Sequence, residues 1–154
     1  MDRALIDQYE KGGDDLKMAV RGLDRQDLVA FPVSGRWSIQ QLVIHLLDSD
    51  LILADRMKCV IAEENPKLMA FDENRFVKFL HYDEQSIDDA VTIFELSRRN
   101  FAKVLKELPD SSFDRVGTHS ERGQMKLSDL LAGAVNHLKH HLKFLVEKRQ
   151  KLGK

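Results

Sequence analysis

The chain has 154 residues, a length that suits one domain, expected to cover residues 1–154, with a sizeable hydrophobic core. Hydrophobic residues make up 43% and charged residues 32%, as in soluble globular proteins, and 24 basic side chains nearly balance 25 acidic ones. This balance disfavours a dedicated nucleic-acid binder, which usually has a basic excess.

Cys59 is the only cysteine, so no internal disulfide can form and a cytoplasmic location is expected. With no apolar signal core and no run of membrane-spanning length, no membrane partner is expected.

The first predicted element is a helix over residues 2–23, in which apolar side chains recur at helical spacing. Gly12 and Gly13 interrupt the middle of this pattern and cost roughly 1 kcal/mol each relative to alanine. They indicate a kink, a close helix contact or simple local weakness. Asp24 follows as the predicted cap of one short turn.

A second long helix is predicted over residues 39–64, ending before Pro66. Ser38 and Gln41 have the spacing of a capping box, in which each side chain accepts a hydrogen bond from the other's backbone N–H. A short extra helix is predicted over residues 71–80, as a brace or a lid at one end of the protein.

The third long helix is predicted to begin after Ser86 and to end at Pro109. A long loop over residues 110–127 follows, in which a small hairpin could form. The fourth helix is predicted to open at Ser128 and to run to about residue 150. Four long amphipathic helices around one core predict an all-α protein, a four-helix bundle.

Three histidines lie in the fourth predicted helix, in the segment AVNHLKHHLKFLVEKR. His137 and His141 are four residues apart, so their imidazoles share one face of the helix, whereas His140 lies well outside that face. This spacing suits two ligands of one divalent metal ion. The alternative is one packed and one exposed histidine, and a third ligand is needed to decide between the two.

The segment WSIQQLVIHLLDSD contains His45, and helix bundles build metal sites from side chains on facing helices. Together with the downstream pair His137-x-x-x-His141, this segment resembles the DinB superfamily, and in particular its YfiT-like branch. The resemblance extends, in order, through FPVSGRWS, PKLMAFDENRF and HSERGQMKLSDLL. It implies a DinB/YfiT-like bundle with a metal triad of His45, His137 and His141.

The resemblance also implies a divalent ion, nickel or zinc, and a homodimer. Some members of the family are similar to S-transferases that use a low-molecular-weight thiol such as bacillithiol or mycothiol. On a helical wheel, His45 lies nearly opposite the apolar stripe of the second helix. We therefore expect the stripe to pack in the bundle or in a dimer seam, while His45 faces a cleft.

Asp50 and Arg98 lie on the inward faces of the second and third helices and could form a buried ion pair. Arg98 is also a candidate for binding an anionic substrate near the metal, and a structural ion pair is the alternative. Asp48 and Asp50 are candidates for orienting a metal-ligating imidazole, although an exposed helix acid is an alternative for Asp48.

A metal-dependent enzyme with a small-molecule substrate is the function that the sequence favours. Three imidazoles leave a divalent ion with an open coordination position, where a water or a thiol becomes a nucleophile near neutral pH. Hydrolysis and thiol transfer would both use such a site, and no general base can be named from the sequence. The alternative is a non-catalytic binding or stress-response module in which the metal is structural.

Overall fold

The computed structural model describes residues 3–154, so the predicted start of the first helix at residue 2 lies outside the described residues. Six α-helices are present in this range: α1 (Ala4–Val20), α2 (Arg25–Val29), α3 (Ile39–Ala62), α4 (Glu73–Phe79), α5 (Ile87–Glu107) and α6 (Leu127–Lys151). Three short strands accompany them: β1 (Lys67–Leu68), β2 (Val116–His119) and β3 (Gly123–Lys126). Two 3-10 turns, Tyr82–Glu84 and Asp110–Asp114, complete the described elements.

The four long helices α1, α3, α5 and α6 form a bundle, which confirms the predicted all-α fold. Both α1 and α3 pack against α5 and against α6. Consecutive long helices, α1 and α3, therefore lie diagonally across the bundle, while α3 and α6 are neighbours. Within residues 3–154, no helix has both the length and the apolar character that crossing a bilayer requires.

The start of α3 follows the predicted capping box. Ser38 Oγ accepts a hydrogen bond from the Gln41 backbone N–H at 3.1 Å, and Gln41 Oε1 accepts one from the Ser38 N–H at 3.2 Å. The helix ends at Ala62, two residues earlier than predicted. The residue before a proline disfavours the helical conformation, and here Asn65 has a left-handed φ of 47°.

The start of α6 differs from the prediction, which placed its opening at Ser128. The helix begins at Leu127, and the Asp129 side chain accepts a hydrogen bond from the Lys126 backbone N–H at 3.1 Å. The shift arises because strand β3 runs directly into the helix. Leu127 is fully buried, and its N–H donates to the Arg115 carbonyl at 2.9 Å.

The hairpin considered for the long loop is present as the antiparallel pair β2 and β3. Strand β1, which the sequence did not predict, pairs in parallel with β2 and extends the hairpin to three strands. A two-residue strand carries no periodicity from which to recognise it. This small sheet and α4 lie in the connections at one side of α3, where they add walls to the site described below.

The core consists of two apolar clusters separated by a buried ion pair between Arg98 and Asp50. Arg98 donates to Asp50 Oδ1 from Nε at 3.0 Å and from Nη2 at 2.7 Å. Its remaining hydrogen bonds reach the carbonyl of Tyr9 at 3.2 Å and that of Ala134 at 3.1 Å. The guanidinium carbon lies 4.5 Å from the Tyr9 ring centroid and 4.4 Å from that of Phe94.

The two glycines in the middle of α1 mark a close helix contact, and α1 continues through them without a break. A Cβ at Gly13 would lie 2.8 Å from the Glu95 Cα of α5. A Cβ at Gly12 would lie 2.6 Å from Leu138 Cδ2 and would overlap the Arg98 guanidinium. Small residues are therefore required where α1 meets the ion pair.

We expect Gly12→Ala to lower the free energy of unfolding by about 1–3 kcal/mol, because the added methyl group displaces Arg98 from its partners. Gly133 of α6 is the matched control, since a Cβ there meets no atom within 4 Å. Gly133→Ala should leave stability unchanged or raise it by up to about 1 kcal/mol. Urea denaturation of both variants measures the difference, and equal stabilities would contradict this account of the glycine contact.

Candidate metal centre

The structure brings His45 of α3 together with His137 and His141 of α6. The Nε2 atoms of His45 and His137 are 3.3 Å apart, and those of His137 and His141 are 3.1 Å apart. One ring nitrogen from each residue lies within 4.8 Å of the other two. His140, which the helical spacing excluded, is exposed and lies outside this cluster.

Burial keeps these imidazoles uncharged. His45 is 1% exposed, and its pKa is lowered to about 4, first by burial and then by His137. Burial also lowers the pKa of His137 to about 4, with added repulsion from Arg98. Burial and the two neighbouring histidines lower the pKa of His141 to about 3. All three rings are therefore neutral at pH 7, the form in which histidine binds metals.

The cluster fits a divalent cation. Two nitrogens that each lie about 2.0–2.1 Å from one ion are separated by roughly 3.0–3.4 Å at common coordination angles. Two of the three separations, 3.1 and 3.3 Å, fall in this range, and all three lie within 4.8 Å. Crowded Nε2 lone pairs repel one another, and a shared cation replaces this repulsion with attraction. The Nδ1 atom of His141 is buried and has no hydrogen-bond partner among residues 3–154.

Three side chains surround His45, and Glu73 is the one that the sequence did not indicate. The Trp37 ring centroid lies 4.8 Å from that of His45, and Ser49 Oγ lies 3.4 Å from His45 Nδ1. Glu73 Oε2, on the first turn of α4, lies 3.8 Å from His45 Nε2. The spacing of four residues from His45 indicates Ser49. Glu73 lies in a separate segment and carried no such signal.

A cavity of about 420 Å³ opens beside the histidines, within the size range of small-molecule sites. Its walls come from α3, α4, α6, the sheet and the segment after β1. The lining side chains include His45, Ser49, Leu53, Arg56, Phe71, Asp72, Glu73, His119, Glu121, Arg122, Met125, Asp129, Leu130 and His137. The expected cleft in front of His45 is therefore present, and the apolar stripe of α3 packs inside the bundle.

The structure does not support a substrate-binding role for Arg98. Its side chain is 2% exposed, does not line the cavity and is held by Asp50 and two backbone carbonyls, so the structural ion pair is the alternative that the structure supports. Asp50 contacts Arg98 instead of a histidine. Asp48 accepts a hydrogen bond from the Tyr82 hydroxyl at 2.6 Å, and no hydrogen bond joins it to a histidine within residues 3–154.

A helical bundle with three neutral imidazoles converging at a cavity wall belongs to the class of proteins that can hold a divalent cation and leave it accessible to small molecules. The model of the DinB superfamily matches residues 8–145. The chain therefore belongs to the DinB superfamily, which confirms the resemblance found in the sequence.

Two relatives carry a provisional name as metal-dependent hydrolases. The protein from Oceanobacillus iheyensis is 28% identical over 127 residues, which cover 82% of this chain and 73% of the relative. The protein from Bacillus mycoides is 23% identical over 147 residues, which cover 96% of this chain and 84% of the relative.

Two solved structures share the fold. YfiT from Bacillus subtilis, described as a probable metal-dependent hydrolase with an unusual four-helix bundle topology, matches with a TM-score of 0.91 at 24% identity over 97% of this chain and 86% of its own. A mycothiol-dependent maleylpyruvate isomerase matches with a TM-score of 0.70 at 13% identity over 90% of this chain and 58% of its own. At these identities the matches establish the architecture alone.

The lowered pKa values predict that the metal-free protein loses stability in acid. Below pH 6.5 the unfolded histidines bind protons while the folded cluster, with pKa values of about 4, 4 and 3, does not. The free energy of unfolding should therefore fall as the pH falls from about 6.5 towards 4, by up to about 2 kcal/mol per histidine at pH 5. Chelator-treated protein, unfolded in urea at pH 7.5 and at pH 5, provides the measurement. His137→Gln should show a smaller loss than the wild type, and equal losses would contradict the burial of neutral imidazoles.

Proposed function

We propose that this protein is a metal-dependent enzyme in which His45, His137 and His141 hold a divalent cation at the wall of the substrate cavity. The observation that carries the proposal is the convergence of three buried, neutral imidazoles beside a cavity of about 420 Å³. The provisional names of the relatives as metal-dependent hydrolases support it. Nickel or zinc remains the expected metal, since imidazole nitrogen suits both.

A bound divalent cation would supply a Lewis acid that polarises a substrate carbonyl and lowers the pKa of a water or thiol at its open position. The three imidazoles are neutral donors, so they leave the charge of the cation uncompensated. Trp37 and Ser49 contact His45 and fix its ring. The side chains of Leu53, Phe71, Met125 and Leu130 add apolar wall to the cavity and exclude water from it.

Glu73 is the side chain best placed to accept a proton in this site. Its carboxylate lies 3.8 Å from His45 Nε2 and lines the cavity, and it is 53% exposed, so it can exchange protons with solvent. A carboxylate at this position can take the proton from a nucleophile that enters on the cavity side of the histidines. We therefore assign Glu73 the role of general base in the proposed reaction.

Hydrolysis is the reaction class we favour, and thiol transfer is the second candidate. The hydrolase names of the relatives support the first. The mycothiol dependence of the maleylpyruvate isomerase, which shares the bundle, supports the second. A purely structural metal is less consistent with the site, because structural zinc sites usually have four protein ligands and the cluster within residues 3–154 offers three.

The metal content of purified variants tests the proposed ligands. We expect the wild type to retain about one divalent ion per chain and each of His45→Ala, His137→Ala and His141→Ala to retain little, because two imidazoles hold an ion far more weakly than three. His140→Ala is the matched control, since His140 is adjacent in sequence but exposed, and it should retain the wild-type content. Elemental analysis measures the number of metal ions per chain. Equal metal content in all five proteins would contradict the assignment of the three histidines as metal ligands.

The rate of ester hydrolysis tests the role of Glu73. With the metal-loaded protein and 4-nitrophenyl acetate, Glu73→Gln should lower kcat by about 10²-fold or more, because proton transfer by a positioned side chain typically contributes that much. Glu84→Gln is the control, since its side chain is 80% exposed and lies outside the cavity lining. An unchanged kcat in Glu73→Gln would remove Glu73 from the reaction. If the protein catalyses the reaction of small thiols with 1-chloro-2,4-dinitrobenzene and does not hydrolyse the ester, thiol transfer becomes the assigned reaction class instead of hydrolysis.

A further inference from the structure

The cavity carries two arginines, Arg56 and Arg122, whose charges the proposed reaction does not use. We propose that they form a subsite for an oxyanionic group of the substrate, a carboxylate or a phosphate. This subsite lies at the part of the cavity remote from the proposed metal ligands His45 and His137. This inference deepens the proposed function and rests on it for the reacting end of the substrate. The subsite itself depends only on the chain's own side chains.

Neither guanidinium group forms an ion pair within residues 3–154, and that of Arg56 also has a buried N–H without a partner. Neither arginine has a carboxylate oxygen within 4.0 Å among the described salt bridges of residues 3–154. Arg56 donates from Nη2 to the Met69 carbonyl, while its Nε is buried and has no partner in the same range. Both side chains line the same cavity, and burial followed by the charge of Arg122 lowers the pKa of Arg56.

The acidic side chains of the cavity leave this positive charge largely uncompensated. Asp72 and Asp129 each accept a hydrogen bond from a backbone N–H at the start of a helix, at 3.1 Å. Glu73 lies beside His45. Asp55, outside the cavity lining, and the exposed Glu121 partly offset the charge of Arg56, but neither forms an ion pair with it. An oxyanion would thus meet two guanidinium groups with no competing carboxylate bound to either.

His119 adds a neutral donor to the same wall. Its side chain is 5% exposed, and its pKa is lowered first by burial and then by the charges of Arg56 and Arg122. Its Nδ1 accepts a hydrogen bond from the Glu121 backbone N–H at 3.2 Å, so the proton of the neutral ring resides on Nε2. This wall of the cavity therefore presents N–H donors from three side chains.

The spacing along α3 defines the length of the ligand. His45, Ser49, Leu53 and Arg56 all line the cavity, and eleven residues separate the first from the last. A helix rises 1.5 Å per residue, so their Cα atoms are roughly 16 Å apart. Both side chains tilt towards the N-terminus of the helix, and the longer arginine side chain extends further in that direction, so its guanidinium can lie closer to the imidazole than the Cα separation. A substrate that reaches both ends would carry its oxyanion roughly 10 Å from the reacting group.

Guanidinium is suited to this role, because its planar N–H fork pairs with two oxygens of a carboxylate or phosphate. Holding two unpaired guanidinium groups near each other at a partly buried wall is unfavourable, and an oxyanion between them offsets both the repulsion and the unmade hydrogen bond. Arg99, an exposed arginine outside the cavity, lies instead 3.6 Å from Glu95.

A matched pair of thiols tests the subsite in the zinc-loaded protein. Calorimetric titration with 8-mercaptooctanoate and 8-mercaptooctanol compares ligands that differ only in the terminal carboxylate. We expect the wild type to bind the carboxylate at least about 10-fold more tightly, as for a hydrogen bond to a charged group. Arg56→Gln and Arg122→Gln should each bring the two affinities together, while Arg99→Gln should keep the wild-type difference.

A second experiment does not depend on the metal. In chelator-treated protein at constant pH and ionic strength, replacing chloride with inorganic phosphate should raise the Tm of the wild type and of Arg99→Gln, and should leave that of Arg56→Gln and Arg122→Gln unchanged. Arg122 is exposed, so its substitution is not expected to impair folding. If zinc does not bind, the proposed function fails and the phosphate experiment alone decides the subsite. The subsite would be overturned if the wild type showed neither a preference for the carboxylate nor a rise of Tm in phosphate. It would also be overturned if Arg56→Gln and Arg122→Gln both kept the wild-type response.

Discussion

The buried ion pair between Arg98 and Asp50 is the interaction on which the arrangement of the bundle depends. Arg98 belongs to α5 and Asp50 to α3, and the other two acceptors of the guanidinium are backbone carbonyls of α1 and α6. One side chain thus contacts all four long helices between the two apolar clusters. Such a pair adds little stability relative to apolar residues, but losing one partner costs about 3–5 kcal/mol. We infer that its main effect is to fix the relative positions of the helices.

The histidine cluster lies next to this pair, on α3, which carries Asp50, and on α6, whose Ala134 carbonyl accepts a hydrogen bond from Arg98. His45 precedes Asp50 by five residues on α3, and His137 follows Ala134 by three on α6. A hydrogen-bonded connection between Asp50 and Ala134, through one guanidinium, therefore fixes the register at which the imidazoles meet. Apolar packing alone would tolerate small displacements, whereas nitrogens 3.1 and 3.3 Å apart require a defined register. The same pair places a positive charge near His137 and helps to keep that ring neutral.

Much of the fold follows from the sequence, because helical periodicity and capping are local. Spacing alone placed His137 and His141 on one face and excluded their neighbour. It could not bring in His45, since periodicity does not say which helices are adjacent, and the family resemblance supplied that step. Helical wheels placed Arg98 and Asp50 on inward faces but left the role of Arg98 open, because burial depends on all four helices. Arg56 lies at helical spacing from His45 on α3, but the two-residue strand β1, Glu73 and Arg122 come from separate segments with no shared local pattern.

The central claim is that imidazoles from two helices bind one cation and leave part of its coordination sphere open to the cavity. X-ray absorption spectroscopy of the purified, metal-loaded protein tests this most directly. We predict three imidazole nitrogens at about 2.0–2.1 Å and at least one further oxygen ligand from solvent, with one imidazole fewer in His45→Ala measured at a protein concentration and metal excess that load its weakened site. A first shell that contains sulfur, or a spectrum that does not change in His45→Ala, would contradict it.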